Sequence, residues 1–183
     1  EGEVGWVAAV RMEGPELKEW HVLEGKARFA YEPGLLALRE GPLLEAAFRG
    51  LSQWPELLMV NATGRDHPRK AGLAVHLGVV LGVPTLGVTR SPLCAEGSLP
   101  SNERGSRSPL FYEGQCVAYW VRTKTGVAPL VVHPGWRVEA EEAVRIVLSW
   151  TRRYRTPEPL RQARKKARQA RSSHLLRVER ELG

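Results

Sequence analysis

Apolar and polar positions alternate in short blocks along the chain. Glu3 to Met12 carries Val4, Trp6, Val7, Ala8, Ala9 and Val10 without helical spacing, which predicts a strand. Glu13-Gly14-Pro15-Glu16 reads as a turn, and Leu17 to Phe29 alternates in part, so the opening is expected to be an antiparallel hairpin. Ala30 to Gly34 reads as a second turn. A helix follows from Leu36 or Pro42 to Leu51, with Leu43, Leu44, Ala47, Phe48 and Leu51 on one face and Pro42 suited to its first turn.

The stretch Leu57 to Ser91 is the centre of the pattern. A short apolar run to Val60 leads into a polar loop, Asn61 to Pro68, then a helical run of small residues, then a second apolar run from Pro84 to Val88. This is a strand–loop–helix–strand unit, in which ligands gather at the loop beyond the first strand's C-terminal end. Asn61 occupies that end. Pro92 to Tyr112 lacks periodicity and reads as a surface loop. Gln115 to Thr123 and Ala128 to Val132 read as strands, His133 to Trp136 as a turn, and Val138 to Trp150 as a helix. A basic helix from Leu160 to about Leu176 closes the chain. The expected fold is a mixed α/β sheet flanked by helices, an antiparallel hairpin in front and parallel strands behind. Residues 1–160 form one domain and 161–183 a basic helical extension.

Composition adds three points. The chain of 183 residues is 43% hydrophobic, enough for one core, and has no apolar run long enough to span a membrane. Cys94 and Cys116 are not at metal-binding spacing and read as reduced thiols, which suits a cytoplasmic protein. Charge is unevenly placed: Arg152 to Gly183 holds eleven Arg or Lys against three Glu, a net of +8, whereas the whole chain carries +7. The basic field belongs to the last helix, where Arg164, Lys165, Lys166 and Arg168 cluster, and nucleic acid is its expected partner. A protein partner for that helix is the alternative; trptophan content does not decide, since Trp6, Trp20 and Trp150 suit core positions.

Several strings then resemble one family. Tyr31-Glu32-Pro33-Gly34-Leu35-Leu36 leading to Arg39-Glu40-Gly41-Pro42, His67-Pro68-Arg69 with Gly72, Ala74, His76 and Gly78, Pro84-Thr85-Leu86-Gly87-Val88-Thr89-Arg90-Ser91, and Tyr154-Arg155 before Pro157-Glu158-Pro159 are similar to motifs of endonuclease V, whose members nick DNA or RNA near deaminated adenine (inosine). The resemblance runs from about Glu1 to Arg161 and implies a ribonuclease H-like fold, Mg²⁺ as cofactor and nucleic acid as substrate. It implies that Glu40 is a metal carboxylate, that Arg90 stands where the family has a lysine near the scissile phosphate, and that Tyr31, on the turn with Pro33 and Gly34, wedges between bases. Ala62, Gly64, His67 and Arg69 fall in its nucleic-acid-binding segments. The family's first metal Asp lies on a strand preceding this stretch. Its third is matched by Asn61, an amide that brings a weak ligand oxygen and no charge, and its catalytic His by Trp136. These departures imply lost or weakened cleavage with binding retained. An active Mg²⁺-dependent DNA-repair nuclease is the alternative, and a protein-interaction module the second. Asp66 and His133 stand near the changed positions as stand-ins; otherwise both read as solvated loop residues.

Overall fold

The computed structural model describes residues 4–26 and 36–182, with side chains described for residues 4–25 and 40–174. Strands β1 (Val4–Glu13) and β2 (Glu16–Lys26) form the expected hairpin, turning at Gly14 and Pro15. Helix α1 (Leu36–Arg49) follows, then β3 (Leu58–Val60), α2 (Leu73–Leu81) and β4 (Thr85–Thr89). Strands β5 (Arg107–Tyr112), β6 (Gln115–Val121) and β7 (Leu130–Pro134) precede α3 (Ala140–Ser149) and α4 (Glu158–Leu182). No described helix is long and apolar enough to cross a membrane.

The strands make two sheets rather than one. The hairpin stands alone, and β3-β4-β7-β6-β5 form a five-stranded mixed sheet. Only β3 and β4 are parallel; β4–β7, β7–β6 and β6–β5 are antiparallel, which corrects the expectation of parallel strands throughout the rear. The single parallel pair is the one joined through a helix, as a crossover requires.

Three local readings also change. Pro42 lies inside α1, not in its first turn, because the helix starts at Leu36; the Leu38 carbonyl therefore lacks its usual i+4 donor. The loop from Pro92 hides β5, whose Pro109 and Ser residues mask the alternation; only Leu110 of its six residues is buried. Edge position in the sheet accommodates that proline. Finally, β7 runs through His133 and Pro134, where a turn was expected.

Two apolar clusters cover the faces of β3. Leu58 and Val60 pack with Phe48 and Leu51 of the α1 region and with Leu73, Ala74 and Leu77 of α2. Leu57 and Met59 pack on the other side with Val144 and Val147 of α3 and with Leu160 of α4. Alternation along an extended strand explains the split. Helix α4 continues across the hairpin. Lys166 Nζ lies 3.4 Å from the Trp20 ring centroid, and His174 stacks at 5.4 Å on Trp6 while its Nδ1 lies 3.2 Å from Glu24. Trp20 is thus 51% exposed beneath a lysine, not in the core, and Trp6 and Trp150 are half-buried.

Candidate nucleic-acid interface

The loop after β3 is held against the sheet by close backbone contacts. The Ala62 carbonyl sits where a side chain at Gly87 of β4 would be, and the Pro134 carbonyl sits where one at Gly64 would be. Only glycine permits both approaches. Gly72 donates to the Gly64 carbonyl at 2.8 Å and Ala74 to the Thr63 carbonyl at 3.0 Å, which ties the loop to the start of α2. Ala62 and Gly64 are consequently buried, while Asn61 is exposed at the strand end.

Asp66 is the anchor of this loop. It is fully buried and accepts three backbone hydrogen bonds: from Leu93 N–H on Oδ2 at 2.7 Å, and from Cys94 and Ala95 N–H on Oδ1 at 2.7 and 2.8 Å. Its expected solvated loop position is therefore wrong. So is its use as a metal stand-in, because both oxygens already serve those donors. The N–H groups of residues 93–95 have to be satisfied where they are buried, and a carboxylate does this for all three.

His133 is fully buried on β7, also contrary to the solvated reading. Thr89 Oγ1 donates to the Ser91 carbonyl at 2.8 Å and lies 2.8 Å from His133 Nε2. With the hydroxyl proton directed to Ser91, Nε2 is the donor to Thr89. His133 Nδ1 is then a buried acceptor with no hydrogen-bond partner. Burial depresses the imidazole to about 4, against an opposing attraction from Asp66. His133 is a neutral structural histidine.

His67 is buried too, and its Nδ1 accepts from the Arg69 N–H at 3.1 Å, shaping a turn that ends at Lys70 with φ of +52°. Arg69 is left exposed. Arg90 is exposed just beyond β4, and its charge pushes down the guanidinium of Arg155, which burial depresses more strongly. Arg155 Nη2 donates to the Pro129 carbonyl at 2.7 Å, while its Nε is buried without a partner. Arg155 was missed as a site residue; the only signal was its place beside Tyr154 in a motif read as structural.

The remaining candidates are spread apart. The Trp136 backbone pairs with Thr85, through Thr85 N–H to the Trp136 carbonyl and Trp136 N–H to Thr85 Oγ1, both at 2.9 Å. That is the opening end of β4, roughly 13 Å along the strand from the Arg90 end. The Trp136 ring lies under the Arg137 guanidinium at 4.0 Å. Glu40 is half-buried on α1. Of the four basic residues on α4, Lys165 and Arg168 are exposed, Lys166 caps Trp20 and half-buried Arg164 turns toward a channel beside β1. Tyr31, Pro33 and Gly34, with the turn they occupy, lie outside the described residues.

Among the described residues no three His, Cys, Asp or Glu side chains gather in a way that could hold a metal ion. Mg²⁺ favours carboxylate oxygens and near-octahedral geometry. Of the expected ligand positions this chain supplies Glu40 and the amide of Asn61, so its described donor set does not fit the ion.

The mixed sheet with helices on both faces defines a ribonuclease H-like domain. The family model "Endonuclease V" matches residues 1–165, and the chain belongs to the endonuclease V family. It is 45% identical over 148 residues to endonuclease V of Methanopyrus kandleri, covering 81% of this chain and 64% of that protein. It superposes on endonuclease V from Streptomyces avermitilis with a TM-score of 0.83 and 33% identity, over 96% and 83% of the two chains. A Ciona intestinalis endonuclease V, solved with a 24mer DNA containing an inosine followed by a ribo-adenosine, shares the fold at a TM-score of 0.70 and 22% identity, over 93% and 87%. The chain thus spans somewhat less than two thirds of the Methanopyrus relative's length.

Proposed function

We propose that this chain is a cytoplasmic nucleic-acid-binding member of its family in which phosphodiester cleavage is lost or weakened. The observation that carries the reading is Asn61: the end of β3 presents an exposed amide beside a loop whose nearest carboxylate, Asp66, is consumed by three backbone donors. Binding is supported by the exposed Arg69, Arg90, Lys165 and Arg168, by Arg155 beside Arg90, and by the inosine-containing DNA held by the Ciona relative. Each basic group that meets a phosphate releases counterions, so affinity falls with salt. Inosine-bearing DNA or RNA is the substrate class.

A nicking assay on inosine-containing strands with Mg²⁺ or Mn²⁺ tests the reading beside an Asn61→Asp, Trp136→His double variant. Weak cleavage by the native chain and a gain of tenfold or more in the variant is expected. Native cleavage that the variant barely exceeds overturns the proposal and favours the active repair nuclease, the reading suggested by relatives named endonuclease V. Absent or salt-independent nucleic-acid binding would instead favour a protein partner for α4.

A further inference from the structure

Strands β1 and β3 each have one unpaired edge: β1 pairs only with β2, and β3 only with β4. Both edges line the same cavity, of about 990 Å³, with Trp6 to Gly14 on one wall and Leu57 to Asn61 on the other. Phe48 and Leu77 roof it from the α1–α2 side; Ile146, Leu160 and Ala163 floor it from α3 and α4. The two sheets are therefore separate because of one channel, bounded by backbone on two sides and by apolar side chains on the other two.

An open strand edge presents a row of unpaired N–H and C=O groups, and a strand inserted between two such edges satisfies both. We propose that this channel is the seat of an extended strand joined ahead of β1, which merges the hairpin and the five-stranded sheet into one. A neighbour of β1 that is antiparallel to it needs only a hairpin turn, whereas a separate segment also loses its independent freedom on docking. Helices cover both faces, so the strand reads as a continuous apolar, β-branched run rather than an alternating one. The β3 wall of five residues sets its paired length. This assignment does not depend on whether the chain cleaves nucleic acid.

The test compares the 183-residue chain with a form carrying Val-Val-Ile-Val-Val-Asn-Gly ahead of Glu1, and with the same extension bearing Pro in place of the central Ile. Hydrogen exchange is followed at alternate amides of Trp6–Val10 and at Leu58–Val60, with thermal unfolding beside it. The apolar extension is expected to slow exchange at both edges about tenfold or more and to raise Tm by several degrees. The proline form, which lacks the pairing N–H, is expected to give a smaller effect on both readouts. Protection of neither edge, or of β1 alone, overturns the proposal. Equal protection by the free peptide added at millimolar concentration, with none from the joined form, overturns the assignment of the strand to the segment ahead of β1.

Discussion

Asp66 shows how a single side chain can carry a loop. Replacing it with Ala removes three charge-assisted hydrogen bonds and strands buried N–H groups of residues 93–95, at a cost of about 3–5 kcal/mol. Asp66→Asn keeps at most the two bonds to one oxygen and turns an NH₂ toward another donor, so it is expected to lose an intermediate amount in urea unfolding. The sequence placed Asp66 in the right loop but gave the wrong environment, because its partners lie 27 to 29 positions away and no local pattern encodes them. His133 was misread for a related reason: the neighbouring Pro134 and Gly135 suggest a turn, whereas pairing with β4 decides the strand.

His133 also sets a pH dependence. Its folded value, about 4, lies below the ordinary 6.5, so the folded state refuses a proton that the unfolded chain accepts. Its linkage leaves stability flat above about pH 6.5, lowers it as pH falls toward 4, and is flat again below. Denaturant midpoints between pH 7 and 4 are expected to fall less steeply in His133→Gln than in the native chain, whatever the variant's stability at pH 7.

At the scale of elements, α4 is a strap as well as a basic surface. Trp20 and Lys166 form a cation–π pair across the hairpin, worth about 0.5–1 kcal/mol at an exposed position. A double-mutant cycle of Trp20→Leu and Lys166→Met is expected to return a coupling of that size, and Lys166→Met to leave nucleic-acid affinity nearly unchanged. The helical period predicted α4 and its charge; it carried no information about which lysine turns back onto the hairpin. Similarly, the apolar blocks made β1, β3, β4, α2 and α3 legible, while β5 was not, because an edge strand with one buried residue has too little alternation to detect.

Across the whole molecule, the candidate basic contacts form two groups, Arg90 with Arg155 beside the sheet and Lys165 with Arg168 on α4. If both groups meet phosphates, Arg90→Ala and Lys165→Ala each reduce the slope of log affinity against log salt by about 0.7–0.9, and the double variant by about twice that. Filter binding from 50 to 300 mM salt is the measurement. An unchanged slope for either single variant removes that group from the interface. The family was legible from motifs spread along the chain, yet the motif at Asn61 could not report that the nearby Asp66 is already engaged, since that depends on a distant loop.

The same Asp66 clasp has a kinetic consequence. It binds the segment after β3 to the segment bearing Cys94, so neither moves until three bonds break together. Cys94 is half-buried, its thiol pushed up by burial and by the Asp66 charge, whereas Cys116 is exposed. A thiol reagent should therefore modify Cys116 at once and Cys94 at a rate limited by release of the clasp, giving the protein a built-in clock for opening of its candidate binding loop.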